Sequence, residues 1–468
     1  MGHSRAGVEG AGQTGSATST ASDAPCGEAV VPASGRVPTA QAVLFLVLLT
    51  LLSLAVRLLF FQRFRWEGME CDGAGYLDVA RHILAGQGWS VDYVQLLFRP
   101  LVSLPRPDAQ WSPLYPFLTA LAVAAGGLNI TAVKLVPLAF GMFTPAAASL
   151  LAFGLTGRRL AGLFAGLLAV AYPTLVSYSM RVETESCTIL LVSAVLICLL
   201  LRPRRAWLLG ALLAAAYLMK YQSVWLWIAV SLGLFWRLPR AEAWRALGIA
   251  ALTFLVLCSP WLVRNALLFG DPLHTDLPHL VLAQCPDFGG GQRVVASLTP
   301  PPPALRYAIL HPAAVATRAH DGLRMLTVGL LRDNGGSAWL APLALLGLWS
   351  IRARWKLWVP VLVYAGLLFG FISVTLTAAR YGFCLVPFWA ALAGAGAGWL
   401  ASASAQRKVG VRVMGTAAGV VLVVASIAGE ARETARQMGD HRSGWNPGAS
   451  SCPVEMLASR PFIVARTA

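Results

Sequence analysis

The 468-residue chain is 57% apolar and 12% charged, where a soluble domain carries about 25% charged residues; this composition excludes a set of ordinary soluble domains. Its 37 basic and 21 acidic residues leave a formal charge of +16. The excess lies in short clusters between apolar runs, as the positive-inside rule requires, so nucleic acid is not needed to explain it.

Residues 1–40 are rich in Gly, Ala, Ser and Thr and read as a disordered tail. The first apolar run begins late and is long enough to span, which argues against a cleaved signal peptide. Crossing a hydrocarbon core of roughly 30 Å takes about 20 apolar residues. The clearest windows are 42–61, 186–201, 246–262, 357–376 and 381–400. Backbone groups in lipid must pair within their own segment, so these runs are helices. The expected class is an all-α integral membrane protein. One polytopic domain over 41–430 is followed by a C-terminal tail at 431–468.

Five short connections are basic: Arg158 and Arg159; Arg202, Arg204 and Arg205; Arg237, Arg240 and Arg245; Arg352, Arg354 and Lys356; Arg407, Lys408 and Arg412. Placing all five in the cytoplasm puts the turn 181–185, the region of Tyr221, the segment 264–336 and the turn at Arg380 outside, and residues 62–111 also fall outside if the N-terminal tail is cytoplasmic. The two long outside segments lack the basic excess of the short connections. Parity demands an odd number of crossings between residues 111 and 157. That stretch offers two apolar runs, the second interrupted at Pro137 and Pro145, so one is expected to be a partial helix packed on protein. The total is about 11–12 transmembrane helices.

The first outside segment, 62–111, opens with Glu70-Cys71-Asp72-Gly73-Ala74-Gly75-Tyr76. From there Tyr76, Val79, Ala80, Ile83 and Leu84 repeat at helical spacing, which predicts an amphipathic surface helix stopped at Gly86. Asp72 precedes it. Spacing favours an N-cap role; a surface carboxylate acting as general base or metal ligand is the functional alternative, and the two are compatible. The Pro113-Leu114-Tyr115-Pro116 run reads as a span entrance. Further on come Arg181, Glu183 and Glu185 in a short outside turn, where plain solvation is the simpler reading. Lys220 stands near the outer end of a span, where it can snorkel. Arg264 follows in Pro260-Trp261-Leu262-Val263-Arg264-Asn265, and the pair Arg380-Tyr381 comes late. Each cation alone is an ordinary interface anchor. Together they offer phosphate-binding charge on the face of Asp72. The eight cysteines show no zinc spacing, and pairing of Cys71 with Cys285 is the less favoured reading. The histidines, His82 among them, read as loop residues.

This order of features resembles the GT-C superfamily of membrane glycosyltransferases, in particular the branch shared by protein mannosyltransferases, the aminoarabinose transferase of lipid A and the Rgt-type lipopolysaccharide glycosyltransferases. The resemblance covers roughly residues 42–400. It is carried by the acidic segment before the surface helix, Pro113 to Pro116, Thr184-Glu185, the run Pro260 to Pro272 and Arg380-Tyr381. There are departures: Cys71 separates Glu70 from Asp72 where relatives carry an adjacent acidic pair, and Lys220 stands where an Arg is expected.

The resemblance implies inverting transfer of a sugar from a polyprenyl-phosphate donor to an acceptor hydroxyl on a glycan, lipid or protein, at the outer face of a bacterial inner membrane. It implies Asp72 or Glu70 as general base and Arg181, Lys220, Arg264, Arg380 and Tyr381 at the donor phosphate. Glu183, Glu185 and Tyr76 would support the acceptor side. A divalent metal, Mg or Mn, could assist, but no ligand set is legible. One rival is a non-enzymatic membrane scaffold, which has no need for carboxylates and cations on one face; the other is a polytopic transporter or lipid-linked glycan flippase, which predicts ionisable residues at mid-span. Such charge reads as scarce, with Arg57 near an end of its span and Lys134 near the start of its run.

Overall fold

The computed structural model describes residues 40–64, 71–92, 104–275, 303–332, 337–375 and 379–405. The chain forms two units, 1–44 and 45–468; of the first, only residues 40–44 are described, as the opening turns of a helix. The element order is α1 (Ala40–Phe64), α2 (Cys71–Leu84), a two-stranded antiparallel ladder of β1 (Ser90–Val91) and β2 (Arg106–Pro107), α3 (Leu114–Gly126), α4 (Ile130–Gly141), α5 (Thr144–Thr156), α6 (Arg159–Ala171), α7 (Pro173–Tyr178), α8 (Glu185–Leu201) and α9 (Ala206–Met219). After a 3-10 turn at Tyr221–Trp225 come α10 (Leu226–Arg237), α11 (Arg240–Phe269), α12 (Ala304–Leu310), α13 (Pro312–Arg332), α14 (Ser337–Ser350), α15 (Trp355–Val374), a 3-10 segment at Ala379–Leu385 and α16 (Val386–Ala405).

Among the described residues five helical stretches are long and apolar enough to cross a membrane: Ala40–Phe61, Ile130–Thr156, Arg240–Phe269, Arg352–Val374 and Arg380–Ser402. Shorter apolar helices, α3, α6, α8 and α9 among them, stand beside these. The chain is a multi-pass integral membrane protein. Its lipid-facing surface is plain on α1 and α11, where Leu48, Leu51, Leu59, Leu252, Leu255, Val256, Val263 and Leu267 are exposed. In lipid such side chains are at no disadvantage.

Helix α3 lies in the stretch between residues 111 and 157 where a partial helix is expected. Its 13 residues are about 20 Å long, short of the hydrocarbon thickness, and it packs on α2 and α4. The next run has one break, at Met142 and Phe143, rather than two. Pro145 lies in the first turn of α5, where a missing N–H costs nothing, and Pro137 stays inside α4. Arg264 lies within α11, five residues before its end, and two further helices, α12 and α13, occupy 304–332.

The main core lies among α5, α6, α8, α9, α10, α14, α15 and α16. Close helix approach there depends on small residues. Gly347 of α14 faces the backbone of Leu392, and Gly396 of α16 faces that of Leu343; neither position has room for a Cβ. Gly394 and Gly398 bring α16 equally close to Ala161 and Ala165 of α6.

Arg57 stands four residues before the end of the stretch Ala40–Phe61, and Lys134 is the fifth residue of α4. Arg57 and Lys134 are both fully buried. Arg57 donates five hydrogen bonds, to Ser179 Oγ, the carbonyl and hydroxyl of Ser53, Thr144 Oγ1 and the Leu175 carbonyl. These neutral acceptors tie α1 to α5 and α7.

Candidate active site

The helix carrying the first acidic motif begins at Cys71, so Asp72 lies in its first turn and not at the cap position. That correction frees the carboxylate for a tertiary role while still placing it at the positive end of the helix. The apolar stripe of α2 packs inward: Tyr76, Val79 and Ala80 are buried. The Tyr76 ring meets Trp111 and Tyr115 edge-on, at centroid distances of 4.6 and 4.7 Å. The Trp-Ser-Pro-Leu-Tyr-Pro run is therefore the platform on which α2 sits.

Asp72 Oδ2 accepts a hydrogen bond from Arg380 Nη2 at 2.6 Å across 308 residues of sequence. Arg380 Nη1 donates to Glu183 Oε1 at 3.1 Å, and Arg380 Nε lies 3.8 Å from Glu185 Oε1. Lys220 Nζ donates to the same Glu185 oxygen at 2.8 Å. Tyr381 sits against both cations: its ring is 4.4 Å from Lys220 Nζ, and its hydroxyl is 3.5 Å from Arg380 Nη2. Three carboxylates and two cations from four separate parts of the chain thus form one network.

Local structure explains each placement. Glu185 is the first residue of α8, where a carboxylate meets the partial positive charge of the helix N-terminus. Lys220 is the extended residue between α9 and the 3-10 turn, which lets its side chain leave the helix axis. Arg380 and Tyr381 lie in the 3-10 segment leading into α16.

Two expectations are corrected here. The turn with Glu183 and Glu185 is not solvated, since both residues are buried. Lys220 does not snorkel; it turns to a buried carboxylate. Asp72 is the accessible acid, with 27% of its side chain exposed against 1% for Glu183 and 5% for Glu185. Burial pushes the Asp72 carboxyl above the ordinary carboxylate range, and the charge of Arg380 opposes that shift. Burial also keeps the Tyr76 hydroxyl protonated well beyond neutral pH.

Two other candidates make contacts of their own. Arg181 lies with its guanidinium 4.9 Å from the Tyr178 ring. Arg264 belongs to a second group: it donates to the Trp89 carbonyl and to Asn265 Oδ1, both at 2.9 Å, and stacks on Trp261. Trp261 donates to the Tyr221 hydroxyl, and the Tyr221 backbone N–H donates to Ser112 Oγ. This group clamps the first outside segment to α11. Glu70 and Cys285 lie outside the described residues, as does the Cys71 side chain, so the Cys71–Cys285 pairing does too.

No protein-family model matches the chain, and no curated protein does. Solved structures do match. ArnT from Cupriavidus metallidurans in the apo state superposes with a TM-score of 0.52 at 15% identity, over 84% of this chain and 75% of that one. The same protein bound to undecaprenyl phosphate gives 0.53 and 16%, over 85% and 76%. The archaeal oligosaccharyltransferase AglB from Archaeoglobus fulgidus, in complex with an inhibitory peptide and a dolichol-phosphate, gives 0.56 and 12%, over 84% of this chain and 55% of AglB. The chain has the GT-C fold.

Within this GT-C fold, a small cleft beside the network is lined by Glu185, Thr188, Lys220, Gln222, Arg380, Tyr381 and Cys384. Sequence reasoning missed three of these. Thr188 follows Glu185 by three residues on α8 and so shares its face. Gln222 follows Lys220 by two, and Cys384 follows Arg380 by four within one 3-10 segment. Those offsets were the available signals, and they had meaning only once the charged partners were known to meet.

Proposed function

We propose that this protein is an inverting glycosyltransferase that moves a sugar from a polyprenyl-phosphate donor to an acceptor hydroxyl at the outer face of a bacterial inner membrane. The observation that carries this reading is the Arg380 bridge: an accessible carboxylate, Asp72, held 2.6 Å from a cation that also grips two buried carboxylates beside a cleft. The GT-C fold supports it, because ArnT has been captured with undecaprenyl phosphate and AglB with a dolichol-phosphate.

The chemistry follows from the charges. The acceptor oxygen attacks the anomeric carbon as the bond from that carbon to the phosphate oxygen breaks, which inverts the centre. Asp72 takes the acceptor proton. Among the described residues only its Oδ2 is engaged, which leaves Oδ1 for the acceptor. Its raised proton affinity makes it a better base than an ordinary aspartate. The network has three negative and two positive side chains. Protonating Asp72 removes one negative charge as the leaving phosphate gains one, so Arg380 and Lys220 are released toward phosphate at the moment charge develops there. Tyr381 holds both cations in register.

Mg or Mn at this site is not favoured. Each of the three carboxylates already faces Arg380 or Lys220, and a metal would have to displace a cation that the fold supplies. No step here is routed through one.

The test is incubation of membranes containing the protein with a panel of labelled polyprenyl-phosphate sugars. Transfer of label to an endogenous acceptor is expected, and its loss in Asp72→Asn assigns the base. The topology is tested by cysteine-accessibility labelling, in which positions near 90 and 290 should react from the same outer side. Reaction from opposite sides would remove the outer-face site.

A further inference from the structure

About 9 Å further along α2 from Asp72, at 1.5 Å rise per residue, a second polar cluster stands apart from the Arg380 network. Asp78, His82 and Asp92 bring one ligand atom each to within 4.8 Å of one another. His82 is 2% exposed, buried within α2 and not part of a loop. Its Nδ1 lies 2.9 Å from Ser90 Oγ. The Ser90 hydroxyl has a single proton, and it is donated to the Gln87 carbonyl at 3.1 Å. The Ser90 contact fixes the orientation of the ring and aims Nε2 away from Ser90. Nε2 faces two carboxylates: Asp92 Oδ2 at 3.1 Å and Asp78 Oδ1 at 3.9 Å. Among the described residues Nε2 has no hydrogen-bond partner. His82 and Asp78 are buried, and the Asp92 side chain, 47% exposed, opens the cluster to solvent.

We infer that Asp78, His82 and Asp92 form a binding site for a divalent transition metal, with zinc the best match to one imidazole nitrogen and two carboxylates. The set has the character of a zinc site: a mixed nitrogen and oxygen shell, with a second partner, Ser90, on the other ring nitrogen to orient the imidazole. The Asp92 backbone N–H, which donates to Asp78 Oδ2 at 2.9 Å, further orients the first carboxylate. Arg81 Nη2 currently bridges Asp78 Oδ1 and Asp92 Oδ2 at 2.8 and 2.7 Å, the two oxygens that face His82. Its side chain is 53% exposed and free to swing into solvent. It is a competing cation that supplies one charge where a metal supplies two. Occupancy would tie α2 to β1 and the start of the chain beyond it. The site stands whether or not the chain transfers sugar.

The test is zinc titration of the purified full-length protein in detergent by calorimetry, with cobalt substitution read by visible absorption. Wild type should bind one zinc at this site. Affinity should fall by at least tenfold in His82→Gln and in Ser90→Ala, and should rise in Arg81→Ala, where the competitor is gone. Cobalt should show nitrogen and oxygen ligation without a thiolate charge-transfer band. Equal zinc affinity in wild type and His82→Gln, a thiolate band, or weaker binding in Arg81→Ala would each overturn the assignment. The cobalt spectrum of the wild type decides the case even where a variant fails to fold.

Discussion

Arg380 gives the sharpest structural prediction. Its guanidinium, 19% exposed, holds Glu183 and Asp72 by hydrogen bonds and lies against Glu185. Arg380→Gln keeps two hydrogen-bonding groups and removes the charge. Glu183, 1% exposed, then loses the Arg380 charge inside the protein, and breaking such a buried pair costs about 3–5 kcal/mol. Glu183→Gln alone is milder, about 1–2 kcal/mol, because Arg380 keeps Asp72 and Glu185. In the double variant neither charge is stranded against the other, so the losses must not add. The double should be more stable than the sum of the singles by about 1–3 kcal/mol. The assay is SDS titration in mixed micelles followed by circular dichroism. Additivity to within about 0.5 kcal/mol would refute the pairing. In transfer assays Arg380→Gln should also lower kcat by about 10²–10³, the usual loss for one donor to a developing oxyanion.

Other predictions follow from the same geometry. Transfer should rise with pH through an acid limb lying above the ordinary aspartate value of 3.8, since Asp72 must be ionised to act as base. For stability the sign is opposite: a carboxyl whose folded value is raised holds its proton better folded than unfolded. Asp72 by itself therefore costs stability as pH rises between those two values; Asp72→Asn should remove that dependence, checked by unfolding midpoints across pH. Arg57→Met should be tolerated to within about 1–2 kcal/mol, because Thr144 and Ser179 already donate to the Gly141 and Leu175 carbonyls. It should leave transfer intact, whereas a flippase moving charge through mid-span would lose function. Gly347→Val should destabilise by about 1–3 kcal/mol through overpacking, its Cβ meeting the Leu392 backbone, whereas Gly370→Ala in α15 has open space and should be harmless in thermal unfolding.

Much of the frame was legible in the sequence because its signals are local. Long uncharged runs, a helical stripe from Tyr76 to Leu84 and basic connections each declare themselves within a few residues. The membership of the site was partly legible for the same reason: Asp72, Glu185, Lys220 and Arg380 all fall at helix ends. Their partnerships were not. Arg380 and Asp72 stand 308 residues apart, and Lys220 and Glu185 stand 35 apart, so nothing nearby distinguishes a snorkelling lysine from a paired one. Arg264 shows the converse. Its motif points to function, yet its guanidinium serves the Trp89 carbonyl and the face of Trp261. His82 was taken for a loop residue because its ligand partners, Asp78 and Asp92, straddle a turn rather than a single helical face.

The central claim is that Asp72 serves as base in sugar transfer from a lipid phosphate. The most direct measurement supplies one labelled polyprenyl-phosphate sugar, chosen from the panel, to membranes holding equal amounts of wild type and Asp72→Asn. Label should reach acceptor in the wild type, and the rate should fall by about 10²–10⁴, the usual contribution of a general base. Equal rates in the two proteins, or no transfer by wild type from any donor in the panel, would contradict it.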